Sequence, residues 1–160
     1  MPALLLLIVP RHPQRFDAVA SLLEKNSVRY QRRSENVPIR AETQVLLGDS
    51  MGEMFAYYAA CDVAFIGGSL LPFGGQNLIE ACAVGKPVLI GPHTYNFADA
   101  AESAITAGAA LRVMDGVDLA RKATALLTHP ALAQRMGAAA LQFSKTHRGA
   151  AQKLVETLRF

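Results

Sequence analysis

Short apolar runs bounded by turn residues alternate with helix-period stretches through the first two thirds of the chain. The runs predict strands at Leu4–Val9, Val28–Gln31, Gln44–Leu47, Val63–Ile66, Val88–Ile90 and Ala110–Val113. Several are continuous rather than alternating, which is how strands buried on both faces of a parallel sheet read. Between them the 3.6-residue period predicts helices at Pro13–Lys25, Gly52–Cys61, Asn77–Val84 and Phe97–Ala107. This alternation of strand and helix implies an α/β fold with a doubly wound parallel sheet.

The last third changes character. Val117–Leu127, Ala131–Thr146 and Ala150–Leu158 carry helical patterns with no strand between them, and His129-Pro130 and Arg148-Gly149 supply the expected breaks. A helical tail of this kind covers a face of the sheet or docks another domain. Arg32–Glu42 is the most polar loop and is expected to be the most mobile.

Size and composition narrow the picture. With 160 residues the chain fits one domain, which typically takes ~100–200. Its 51% hydrophobic and 18% charged residues exclude disorder and predict an aliphatic, alanine-rich core. The net charge is only +3, with Arg11, Arg15, Arg29, Arg32, Arg33 and Arg40 concentrated in the first quarter. That bias suits an anionic ligand or an acidic membrane surface but is too weak to imply nucleic acid. Cys61 and Cys82, without a CxxC pair or a histidine at ligand spacing, read as buried thiols in a reducing compartment. Leu4–Val9 is too short for a signal sequence or a membrane span, which needs ~18 apolar residues or more. A strand this close to Met1 leads to the expectation that the chain is the second half of a longer protein.

In open α/β sheets ligands lie beyond the carboxyl ends of the strands, so the residues after each strand are the candidates. Pro10-Arg11-His12-Pro13 follows the first strand. Arg11 reads equally as a permanent cation for a phosphate and as a solvated surface residue. Gly48-Asp49-Ser50-Met51-Gly52-Glu53 follows the third. Ser50 and Glu53 match an S-x-x-E capping box, in which each side chain satisfies a backbone amide of the other residue. The functional alternative uses the Met51 and Gly52 amides at the start of the next helix.

The segment from Gly67 to Glu80 is the most specific, because two Gly-Gly pairs, Ser69 and a polar Gln76-Asn77 helix start occur together. Glycines let backbone approach a ligand closely, and the amides and dipole of a helix N-terminus favour phosphate. Glu80, in or beside the first turn, is placed to accept from sugar or ribose hydroxyls. The bland alternative is a surface loop with Glu80 merely complementing the helix dipole. Ala83-Val84-Gly85-Lys86-Pro87 reads as a helix end with glycine in the left-handed region. His93, in Gly91-Pro92-His93-Thr94-Tyr95-Asn96-Phe97, is a candidate contact for an anionic sugar carboxylate or phosphate, although a lone loop histidine is more often structural or exposed. The chain has no G-x-G-x-x-G after its first strand, no G-x-x-x-x-G-K-[ST], no G-x-S-x-G and no H-E-x-x-H. Hydride transfer, NTP hydrolysis, serine hydrolysis and zinc proteolysis therefore lose support.

Taken in order, these strand-end motifs resemble the carboxyl-terminal half of the 3-deoxy-D-manno-octulosonic acid (Kdo) transferases of Gram-negative bacteria. The resemblance runs over nearly the whole chain and implies the donor-nucleotide domain of a GT-B glycosyltransferase, a Rossmann-like doubly wound sheet with a helical tail. It implies transfer of Kdo from CMP-Kdo to the lipid A precursor, in lipopolysaccharide biosynthesis, with no metal at the transfer site and no cofactor. By motif it places CMP contacts at Pro10, Arg11, Met51, Gly52, Glu53, Asn77, Leu78, Ile79 and Glu80. Gly68, Ser69, Gln76 and His93 are candidate further contacts to sugar or phosphate. In the family an amino-terminal half carries the membrane anchor, the acceptor site and the catalytic base. The resemblance thus implies that this chain is inactive alone, packs against that half through its terminal helix, and in the full-length protein works at the cytoplasmic face of the inner membrane. Two other readings stay open: a GT-B donor domain for a UDP-sugar, and a non-catalytic nucleotide-binding domain on the same fold.

Overall fold

The computed structural model describes the backbone of residues 4–157 and the side chains through Thr146. Its elements run β1 (Leu6–Ile8), α1 (Phe16–Lys25), β2 (Tyr30–Arg32), β3 (Val45–Leu47), α2 (Met54–Ala60), β4 (Ala64–Ile66) and α3 (Ile79–Ala83). There follow β5 (Val88–Ile90), α4 (Ala98–Thr106), β6 (Ala110–Arg112), α5 (Gly116–Thr128) and α6 (Pro130–Thr157). Single 3-10 turns at Pro13–Arg15, Arg33–Glu35 and Tyr95–Phe97 precede α1, follow β2 and lead into α4.

Every strand pairing is parallel, as the strand–helix alternation demands. The ladders form two three-stranded sheets, β1-β3-β2 and β4-β5-β6, where the sequence pattern suggested one continuous sheet. Alternation reports parallel crossovers but carries no signal for where a ladder is interrupted. The chain divides into a unit ending at Tyr57 and a unit beginning at Tyr58, each holding one sheet.

In the first unit β3 is central, with Val45 opposite Leu6 of β1 and Tyr30 of β2. This register sets the ends of β1 and β3, Ile8 and Leu47, side by side. Val45, Leu47, Ala20 and Leu23 are buried, whereas Leu4, Leu5 and Leu6 are exposed. The first strand is therefore not buried on both faces as its composition suggested.

In the second unit the expectation holds. Val88 and Ile90 face one cluster with Ala64, Ile66 and Ala110, closed by Ala81 and Cys82 of α3, Ala101 and Ala104 of α4, and Ala140 and Phe143 of α6. Leu89, one residue out of phase, faces the other cluster with Phe65, Leu111, Leu126 of α5 and Met136 of α6. Alanine-rich helix faces bring the helix backbones close to the sheet, which is why so few large side chains fill this core.

The helix ends follow local chemistry. Asp115 caps α5 by accepting from the Asp118 amide at 2.8 Å. After α3, Gly85 sits at φ +71, the Lys86 amide donates to the Ala81 carbonyl and the Gly85 amide to that of Cys82. That is a Schellman pattern, with glycine in the left-handed region as expected of this helix end. Gly85 also receives α6 at close range: a Cβ on Gly137 would lie 2.4 Å from the Gly85 carbonyl oxygen.

The break expected at Arg148-Gly149 is absent, and α6 is one 28-residue helix. One interior glycine costs about 1 kcal/mol relative to alanine, too little to stop a helix with good formers on both sides. Leu158, the expected end of the last helix, lies outside the described residues. Cys82 is buried and Cys61 half-buried, both as free thiols. Burial raises both, Cys82 to about 12.

Candidate functional site

In the first unit the residues after β1 and β3 lie at neighbouring strand ends. Pro10 is half-buried and Arg11 exposed, and with Ile8, His12, Arg15 and Val19 they line a shallow depression of about 300 Å³. After β3, Gly48 lets the chain turn tightly over Val9 and the Tyr57 ring; a Cβ there would meet both at 3.0 Å. Met51 and Gly52 then stand exposed, with Gly52 at φ +81. No hydrogen bond from the Met51, Gly52 or Glu53 amide reaches another described residue.

Glu53 departs from expectation. Ser50 and Glu53 do not form the reciprocal capping box; the Ser50 hydroxyl donates to Glu53 Oε2 and is hydrogen-bonded to the Tyr57 hydroxyl. Tyr57 donates to the same carboxylate oxygen at 3.3 Å. Arg33 Nη2 donates to Oε1 at 2.9 Å. With α2 starting only at Met54, the capping spacing falls short of the helix interior, and partners on other turns take the side chains instead. The Ser50 hydrogen bond, with the Arg33 charge adding to it, holds the Glu53 carboxyl below its usual value. Burial pushes the Tyr57 phenol up.

The polar loop expected to be mobile is tied down. Gln31, fully buried, accepts from the Arg40 amide at 2.7 Å and the Thr43 hydroxyl at 2.5 Å, and donates to the Pro38 carbonyl at 3.3 Å. Asp49 accepts from the Ser34 amide at 2.8 Å and the Ser34 hydroxyl at 2.6 Å.

In the second unit the loops after β4 and β5 interlock. The Gly75 amide donates to the Gly68 carbonyl at 2.9 Å and closes the glycine-rich loop on itself. The Asn96 amide then donates to Gly74, the Asn96 side chain to Phe73 and the Tyr95 hydroxyl to Pro72. Gln76, half-buried, lies beside Gly68. Ser69, expected to face a ligand, is fully buried: its hydroxyl donates to the Ile66 carbonyl and accepts from the Gly91 amide at 2.8 Å. Gly91 has no room for a side chain, since a Cβ would lie 2.1 Å from the Ser69 carbonyl oxygen. The Arg112 guanidinium donates to the Gly91 carbonyl at 2.8 Å and pairs with Glu102. His93, half-buried, is held by its backbone amide, which donates a hydrogen bond to the Ser69 carbonyl at 2.9 Å.

The helix following the glycine-rich loop is shorter than Asn77–Val84: α3 has five residues, beginning at Ile79. Asn77 Oδ1 accepts from the Ile79 amide at 3.0 Å, and its Nδ2 donates to Glu80 Oε1 at 3.1 Å. One turn carries little macrodipole, so the electrostatic part of the phosphate-cradle reading shrinks. Leu78 is buried in the core and offers a ligand only its backbone, while Ile79, half-buried, packs against that core. Glu80 is exposed and oriented by Asn77. Nearby Tyr58 is pushed up to about 12 by burial, with the Glu80 charge adding.

Among the described residues no cluster of three His, Cys, Asp or Glu side chains is arranged to hold a metal ion, and no helix is long and apolar enough to cross a membrane.

The family profile described as "Glycosyl transferases group 1" matches residues 12–143. This chain belongs to that family. Among its relatives, the 3-deoxy-D-manno-octulosonic acid transferase of Bordetella pertussis is 50% identical over 161 residues, 98% of this chain and 37% of that protein. The enzyme of the same name from Haemophilus influenzae is 43% identical over 159 residues, again 37% of its length. The chain thus spans well under half the length of these two relatives. Among solved structures, the C-terminal CMP-Kdo binding domain of WaaA from Acinetobacter baumannii superposes with a TM-score of 0.82 at 36% identity, over 86% of this chain and 72% of that one. The motif-level resemblance to Kdo transferases and the Rossmann-like GT-B donor-domain fold are borne out by these relatives.

Sequence patterns do not single out Arg33, Asp49 and Tyr57, which hold the loop after β3 in the first unit, or Arg112, which braces the loop after β5 in the second. Arg112 ends β6 and was within reach of the strand-end rule. Arg33 sits 20 residues from Glu53, and no local pattern links the two.

Proposed function

We propose that this chain is the donor-binding half of a glycosyltransferase that moves Kdo from CMP-Kdo to the lipid A precursor in lipopolysaccharide biosynthesis. The carrying observation is the likeness to the CMP-Kdo binding domain of the Acinetobacter protein at 36% identity and a TM-score of 0.82. Arg11 and the amides near Asn77 stabilise the CMP phosphate as charge grows on it during departure of the sugar, which is leaving-group stabilisation without a metal. Since the Ile79 amide is already bonded to Asn77, the amides of Asn77 and Leu78 are the ones left for this role. Glu80, oriented by Asn77, holds ribose hydroxyls, and the Met51–Glu53 turn lines the nucleotide pocket. The acceptor site, the catalytic base and the membrane contact at the cytoplasmic face of the inner membrane belong to an amino-terminal half, against which the terminal helix packs. The chain alone binds donor and does not transfer sugar.

Calorimetric titration with CMP and with UDP tests this reading. The chain is expected to prefer CMP, and a clear preference for UDP rejects the assignment in favour of a UDP-sugar transferase. A hydrogen bond to a charged group contributes about 1.5–3 kcal/mol, so Glu80→Ala is expected to weaken CMP binding by roughly tenfold or more. Unchanged CMP affinity in that variant removes the ribose role.

A further inference from the structure

The Glu53 carboxylate is placed by motif among the CMP contacts, yet both its oxygens already have protein partners: Arg33 on Oε1, Ser50 and Tyr57 on Oε2. One residue on, the Ser34 amide and hydroxyl both bond Asp49, whose side chain is only 4% exposed. Arg32 approaches the same carboxylate at 3.7 Å and holds Asp17 at 2.8 Å. Consecutive residues of the turn after β2 therefore clasp both ends of the loop after β3, at Asp49 and at Glu53. Between these anchors lie Ser50, Met51 and Gly52. The amides of Met51, Gly52 and Glu53 face no protein acceptor among the described residues, and both Met51 and Gly52 are exposed.

We infer that Arg33 is a positioning residue of the nucleotide site: by holding Glu53 Oε1 it fixes the Met51–Glu53 turn so that backbone amides, and not the Glu53 carboxylate, meet the ligand. The inference rests on the donor-site reading above. The chemistry is consistent with an anionic nucleotide, which a free carboxylate would repel and a row of amides attracts. Arg33 neutralises Glu53 in place and keeps its charge turned into the clasp. Arginine suits this task because its guanidinium is permanently charged and directional.

The experiment is a double-mutant cycle on CMP affinity, read by calorimetry on the wild-type chain, Arg33→Ala, Glu53→Ala and the pair, with thermal melts to verify folding. Arg33→Ala is expected to weaken CMP binding about three- to tenfold, in the range of coupled neighbours in a half-exposed pair. Arg33→Lys is expected to recover part of the loss. Arg29→Ala, which removes the same charge at an exposed position of the same unit, is expected to change binding by less than about twofold. In the Glu53→Ala background, loss of Arg33 is expected to have no further effect. Without ligand, Arg33→Ala is expected to shift the amide resonances of Met51, Gly52 and Glu53. Wild-type CMP binding with an unaltered Arg33→Ala affinity overturns the positioning role and leaves the donor reading standing. An equal loss in both backgrounds also overturns it, since Arg33 then acts on the ligand directly, as do unmoved amide resonances. A wild-type chain that binds no CMP rejects the donor reading, and this inference with it.

Discussion

The two sheets invert what their strands advertise. Residues 4–9 form the longest uninterrupted apolar run at a strand, yet Leu4 and Leu6 are 52% and 51% exposed. Val88, Leu89 and Ile90 make a shorter run and are 0%, 0% and 1% exposed. The difference lies in what covers each strand. Within the second unit, α3, α4 and α6 close one face of β4-β5-β6 and α5 with α6 the other, so alternate residues of β5 belong to separate clusters. Apolar composition tells that a strand needs burial; supplying it takes helices on both faces. The loops beyond the strand ends differ in the same way. In the first unit they are held by side-chain pairs, Arg33 with Glu53 and Ser34 with Asp49. In the second they are held by side-chain bonds to backbone groups, from Ser69, Tyr95 and Asn96, and by a backbone approach too close to admit a Cβ at Gly91.

The largest effect that tests this contrast is expected at Gly91. The Cβ of Gly91→Ala would meet the Ser69 carbonyl and Leu70 amide backbone, which cannot rotate away. A loss of about 3 kcal/mol or more is expected, against an ordinary overpacking range of about 1–3. A melting temperature within a few degrees of wild type, about 2–4 °C per kcal/mol for a chain of this size, shows that the loops are not rigidly interlocked.

Next come paired truncations on the two sheets. Leu89→Ala is expected to cost about 2–5 kcal/mol in urea unfolding, as for a fully buried leucine. Leu6→Ala is expected to cost less than about 1, in line with an exposed position. Comparable losses erase the distinction between the sheets.

The smallest effect is set by pH. The depressed Glu53 carboxyl contributes stability that is complete above its ordinary value of 4.5 and lost as pH falls through the lower folded value. Asp118 in the second unit is held down to about 2, first by its Lys122 hydrogen bond and then by Arg121, so its contribution is complete above 3.8 and lost only as pH falls through about 2. Lowering pH from about 6 to about 2 while following carboxyl and amide resonances is expected to release the Arg33–Glu53 pair as Glu53 takes up its proton below 4.5, and the start of α5 as pH falls through about 2. A Glu53 carboxyl that titrates at or above 4.5, or an α5 start already released at pH 3.8, breaks the contrast.

How far the sequence could be read depended on how local each feature was. The strands were found within a residue or two, and Gly85 was recognised as a helix end, because periodicity and capping act over a few neighbours. Asn77–Glu80 was placed correctly beyond β4, but α3 came out shorter because Asn77 turns its own side chain onto Ile79. The Ser50–Glu53 spacing matched a capping box, and partners at Arg33 and Tyr57 took the carboxylate instead. Ser69 looked like a ligand contact, and the arrival of Gly91, 22 residues on, made it a buried brace.

By itself the sequence determined the order of strands and helices, the parallel pairing, the family and which segments follow each strand end, because each follows from short-range patterns or motifs in order. Tertiary structure alone decided which apolar strand is buried, which loop residues are braces and which partners each carboxylate takes. Those outcomes depend on contacts between residues far apart in the chain, where helix faces, close backbone approach and competing hydrogen-bond partners select among alternatives that look alike in one dimension.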